Sequence, residues 1–234
     1  MLLDTPVAFR GFQPELLTFF DRLAVDNRRE WFHAHRDDYA AYFLEPARQF
    51  VLAMGELLPR LGADIHAEPK VHGSILAITR DTRFSSDKTP YKTHLDLWFW
   101  QGDAPGSNRE RPGYFLRLSA GSLILGAGMH AFSADGVLER YRQAVLDADR
   151  GPQLKVAAQS VGMDRVRGRT YKRVPHGLPA DHPRADWLRH SGLYAEIDQP
   201  LPPELYTPAL PELCCEQFAR LAPLQQWLVD LLRE

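Results

Sequence analysis

Apolar residues recur at helical spacing in the first quarter of the chain. Leu16, Leu17, Phe20 and Leu23 share one face, and Pro14 suits a first helical turn. Asp26-Asn27 interrupts this pattern. Asn27 predicts the cap of a second helix carrying Trp31, Phe32, Tyr39 and Phe43, with Glu30 completing a capping box. Pro46 predicts the opening of a third helix through Phe50, Val51, Met54, Leu57 and Leu58, ended by Pro59 and Gly62.

From about Lys70 the period shortens. Ile75-Leu76-Ala77-Ile78, Thr93–Trp100, Tyr114–Leu118 and Leu123–Gly128 read as strands, and Leu193–Ile197 as a last one. Ser119-Ala120-Gly121-Ser122 suits a hairpin connection, and 102–108 reads as a mobile loop. Along Trp98-Phe99-Trp100, alternation puts the two tryptophans on one face and Phe99 on the other. Strands that follow each other without intervening helices favour antiparallel pairing. Helical spacing returns at Ala134–Asp147, around Pro152–Val161, and over a strongly helical tail from Pro211 to Arg233, where Pro223 predicts a kink. Residues 164–186 read as basic and irregular. The expectation is an α+β fold: an antiparallel sheet of about four to five strands packed with N-terminal helices and a long C-terminal helix, as a single domain over 1–234.

Composition narrows the partners. With 28 Lys and Arg against 30 Asp and Glu, the net charge of −2 disfavours a general nucleic-acid binder relying on a global positive field. No apolar run approaches the ~20 residues of a membrane helix, and no basic leader precedes an apolar stretch, so a cytoplasmic setting without a membrane partner is expected. The only cysteines, Cys214 and Cys215, sit in a helical pattern and read as core filler in a reducing compartment.

The candidate chemistry concentrates between two strands. Residues 80–92 hold Arg80, Arg83, Lys88 and Lys92 with Ser85 and Tyr91 among them. Guanidinium forks, ammonium charges and hydroxyls together suit phosphate or carboxylate. Asp81 and Asp87 offer the competing reading of an internally paired loop, against which Phe84 and Tyr91 embed the charges among groups that tend to be buried. Trp31 is a candidate wall of the same pocket. A second basic passage runs from Arg165 to Pro175 and includes Lys172 and Arg173; it also reads as a solvated edge. Asp181 beside His182 suggests a carboxylate orienting an imidazole for proton transfer, while Asp-His-Pro is equally a turn and helix-start sequence. No metal or cofactor motif is present: His33 and His35 point to different faces, there is no nucleophile elbow, and Gly126-Ala127-Gly128 lacks the third glycine of a dinucleotide loop. That segment reads instead as a strand where backbones approach closely.

Several stretches together resemble the domain of unknown function 2461 family. They are Asn27-Arg28-Arg29-Glu30-Trp31-Phe32, the run Arg80 to Lys92, Gly126-Ala127-Gly128, and Lys172-Arg173-Val174-Pro175-His176-Gly177 leading into Asp181-His182-Pro183. The resemblance spans nearly the whole chain and implies a single α+β domain, without a substrate or activity attached. Two functional readings follow from the residues. In the first, Arg80, Arg83, Ser85, Lys88, Lys92, Lys172 and Arg173 serve an anionic small molecule, Tyr91 orients it, Trp31 walls the pocket, and Asp181 with His182 handle a proton if the protein is an enzyme. In the alternative, the basic segments 80–92 and 165–173 form a non-catalytic surface for nucleic acid or an acidic protein.

Overall fold

The computed structural model describes residues 8–83, 85–102 and 108–233. The expectations for Phe84 and for most of the 102–108 loop lie outside those residues. Strands β1 (His94–Trp100), β2 (Gly113–Ser119), β3 (Ser122–Met129), β4 (Val166–Arg169) and β5 (His190–Pro200) form one antiparallel sheet in the order β1-β2-β3-β5-β4. The α+β expectation holds.

Alternation along the strands sets the two faces of the sheet. Leu95, Leu97 and Phe99 of β1, Tyr114, Leu116 and Leu118 of β2, and Leu123 and Leu125 of β3 are buried. They face a core shared with helix α7 (Leu210–Leu232), where the Tyr114 ring meets Phe218 at 5.0 Å. Each such side chain contributes about 1.5–3 kcal/mol by leaving water. Cys214 and Cys215 are buried on the same helix. The opposite face carries Asp96, Trp98, Phe115, Arg117 and Tyr194, of which Trp98, Phe115 and Tyr194 are only half-buried. Trp100, on this second face, is buried beneath His66, ring on ring at 5.1 Å.

The N-terminal helices pack into the same core. Helix α1 (Pro14–Val25) buries Leu16, Phe19, Phe20 and Leu23. After the short α2 (Arg29–Ala34), the second and third helices expected from sequence merge. The short α3 (Arg36–Asp38), a π-helical stretch (Tyr39–Leu44) and α4 (Glu45–Leu57) follow one another without a break. Pro46 therefore sits in the first turn after a widened stretch rather than at a free helix start. The wider π turns are a place where a missing proline N–H is accommodated. Beyond the sheet come α5 (Val137–Leu146) and α6 (Arg150–Val161).

Two readings of strands are corrected. The apolar run at 75–78 is not a regular strand; it meets β1 through the isolated Ile75–Leu97 bridge and the bonds Leu76 N–H to Asp96 O and Trp98 N–H to Ser74 O. His72, whose φ is +67°, bends the chain just before it. Conversely, the basic passage contains strand β4, an edge strand whose charged, exposed side chains hide its pairing with β5. Gly168 permits its register shift: φ is +101°, and a Cβ there would lie 2.1 Å from Gly192 O.

Candidate functional site

The segment carrying Arg80 and Lys92 is a small hairpin docked on the edge of β1. Arg80 N–H donates to Pro90 O and Lys92 N–H to Ile78 O, both at 2.8 Å, around a Thr79–Tyr91 bridge. Asn27 locks this hairpin to the turn between α1 and α2. Its carboxamide accepts from Tyr91 N–H and donates to Tyr91 O, each at 3.0 Å. Asn27 thus does not cap α2, whose N-cap residue is Arg28 and makes no side-chain cap bond. A carboxamide offers one donor and one acceptor, as a strand edge does, and here that pairing replaces capping. Tyr91 is buried, with its ring stacked on Phe32 at 4.2 Å.

Within the loop the charges pair locally. Arg80 Nη1 donates to Asp87 and to Thr89 Oγ1, and Thr89 returns its N–H and hydroxyl to Asp87 Oδ1. These Thr89 bonds, with Arg80 adding to them, hold the Asp87 carboxyl down at about 2. Arg83 grips Asp81 in a fork at 3.0 and 2.7 Å, and that contact likewise holds Asp81 at about 2. Lys88 Nζ donates to Thr82 O at 2.8 Å.

Below the hairpin, the sheet supplies residues that the sequence reading passed over. Asp96, only 3% exposed, accepts from Arg117 Nε at 2.7 Å, Arg117 Nη2 at 3.2 Å and Lys92 Nζ at 3.2 Å. His94 Nε2 lies 3.3 Å from Asp96 Oδ2. Burial opposes ionisation of Asp96, yet the His94 and Arg117 contacts outweigh it and keep the carboxyl well below the usual range. The register makes Asp96 and Arg117 cross-strand partners. A charged pair at facing positions of two otherwise apolar strands was the available signal.

Hairpin and sheet enclose a cleft of 570 Å³ whose lining includes Asn27, Arg80, Thr89, Tyr91, Lys92, His94 and Arg117 together with the carboxylates Asp81 and Asp87. The structure thus gathers three of the sequence-selected residues, Arg80, Tyr91 and Lys92, around one hollow. Arg83, Ser85 and Lys88 belong to the loop but not to the lining. Trp31 stacks on His35 at 3.9 Å, away from that lining. Lys172 and Arg173 are exposed beyond β4, at the opposite end of the strand order. Asp181 is exposed, and His182 Nδ1 accepts from Arg184 N–H at 3.1 Å in a turn that Arg184 ties to the Val145 carbonyl at the end of α5. Among the described residues no group of three or more metal-ligating side chains occurs, and no helix is long and apolar enough to cross a membrane.

No curated protein and no solved structure matches the chain. The family described as conserved hypothetical protein (DUF2461) matches residues 15–227, a stretch that holds the hairpin, its Asn27 anchor and the Asp96–Arg117 floor. The chain belongs to that family.

Proposed function

We propose that the cleft receives the phosphate or carboxylate of a small molecule. The charge balance of its floor carries this reading. Lys92 and Arg117 bring two basic side chains to the single carboxylate of Asp96, whereas Arg80 and Arg83 are each matched by one carboxylate, Asp87 and Asp81. Spare donors accompany the excess charge: Arg117 Nη1 and the Nε and Nη2 groups of Arg80 meet no partner among the described residues. An anion beside them gains charge-assisted hydrogen bonds without displacing an internal pair. In the catalytic version Asp181 and His182 are the proton-handling pair; they lie outside the cleft lining, so the binding reading does not depend on them. The free, buried cysteines favour a reducing, cytoplasmic setting, and one continuous cluster of buried residues from Phe9 to Leu231 favours a single domain.

Thermal unfolding of the full chain with inorganic phosphate, sugar phosphates and dicarboxylates tests the proposal. A ligand at a hundred times its Kd stabilises by about 2.7 kcal/mol, a readily measured rise in Tm. Lys92→Met is expected to lose most of that rise. If no anion moves the transition at any concentration, the reading fails.

The alternative, a surface for nucleic acid or an acidic protein, draws on the same cations. Its two basic segments flank opposite edges of the sheet, and Arg167 and Arg169 are paired with Glu196 and Asp186. It therefore requires a partner broad enough to span the sheet.

A further inference from the structure

On the same open face of the sheet lies a second hollow, of 350 Å³, with aromatic walls: Trp98 from β1, Phe115 from β2 and Tyr194 from β5. The register builds it row by row. Trp98, Phe115, Gly126 and Glu196 face one another across four strands, and the next row contains Gly113, Gly128 and Tyr194. Gly126 forms the floor: a Cβ there would stand 3.8 Å from both the Phe115 ring and Glu196 Cβ, in the space the walls enclose. Such a slot suits a flat ring better than a branched aliphatic group.

Arg117 lines both hollows. Its fork is held by Asp96, and its guanidinium carbon sits 5.4 Å from the centre of the Phe115 ring. The guanidinium therefore stands between the two hollows and against the first aromatic wall, so a ligand that reaches both keeps its anion and its ring on the two sides of one side chain. Toward β5, Glu196 Oε1 accepts from Arg167 at 2.9 Å, while its Oε2 meets no partner among the described residues. A carboxylate oxygen there accepts from a ring N–H or an amino group.

We infer that the ligand is of the nucleotide class: an amino-bearing heteroaromatic ring in the glycine-floored slot, joined through a sugar to a phosphate in the neighbouring cleft. This rests on the anion reading above and specifies its ligand.

Calorimetric titration of the full chain with AMP, GMP, ribose 5-phosphate, inorganic phosphate and adenosine separates the two claims. At least one nucleotide is expected to bind about tenfold or more tighter than ribose 5-phosphate, the scale of one base stacked on an aromatic side chain. Adenosine, lacking the phosphate, binds more weakly than AMP. Gly126→Val fills the slot and Phe115→Leu removes a flat wall; both erase the preference for the nucleotide while ribose 5-phosphate binds as before. Equal affinity for both nucleotides and ribose 5-phosphate overturns the nucleotide inference and leaves the anion reading intact. No binding by any phosphate compound overturns both. Adenosine binding as tightly as AMP overturns the two-part ligand. Sedimentation that finds a dimer dissociated by Gly126→Val assigns the slot to a second copy and also overturns it.

Discussion

Asn27 and Asp96 determine the shape of the cleft, and neither works through a bond that its immediate sequence neighbours reveal. Asn27 satisfies both main-chain groups of Tyr91 from 64 residues away. Replacing it with Ala leaves a part-buried N–H and a C=O without that partner, at a cost of about 1–3 kcal/mol for an unmet group. Urea denaturation of Asn27→Ala is expected to show a lower midpoint with an unchanged slope, and a variant as stable as the parent would refute the lock. Asp96 holds three basic neighbours in place. Removing its charge would leave Arg117 and Lys92 repelling one another at the sheet surface, so its contribution lies in organisation as much as in attraction.

At the scale of elements, amphipathic periodicity made the helices and the central strands legible, because burial of one face is what produces that periodicity. The hairpin between Ser119 and Ser122 appears as expected: Leu118 pairs Leu123, and Ser119 Oγ accepts from Ser122 N–H at 3.3 Å. Two features had no such signature. Strand β4 is held by main-chain bonds at an exposed edge, where side-chain pattern carries little information, and the π-helical stretch at 39–44 preserves an apolar face while changing the hydrogen-bond spacing. The close-approach reading of Gly126-Ala127-Gly128 is met most sharply at Gly128. Its φ is +131°, and a Cβ would lie 2.4 Å from Leu193 O. Gly128→Ala is expected to destabilise by about 1–3 kcal/mol through strain between β3 and β5, measured by chemical denaturation. Gly126→Ala, with ordinary φ and 3.2 Å to its nearest neighbour, is expected to cost less. Equal costs would contradict this difference.

For the molecule as a whole, acid should weaken the fold in two stages. Burial lowers the pKa of His190; the nearby Arg169 also lowers it, while bonds to Trp187 and Asp186 oppose the shift. A histidine with a lowered folded pKa favours the native state above its unfolded value near 6.5 and loses that contribution as pH falls below it. Asp96, lowered from 3.8, favours the native state above that value and loses its contribution on further acidification. Urea midpoints measured from pH 8 to pH 3 are expected to fall first below about 6.5 and again below about 4. His190→Gln should remove only the first stage; if it tracks the parent through pH 5, His190 is not the cause. The fold class was readable because it depends on patterns repeated over many residues. The cleft was readable only in part: Arg80, Tyr91 and Lys92 stand in one conspicuous loop, but its floor joins residues 94, 96 and 117, whose meeting is decided by strand register.

Arg117 has a further consequence for redesign. Because one guanidinium borders two hollows and is bonded into the charge balance of one of them, substitutions at position 117 alter both chambers at once. Substitutions at Phe115, Gly126 or Tyr194, which border the aromatic chamber and not the cleft, reshape that chamber independently.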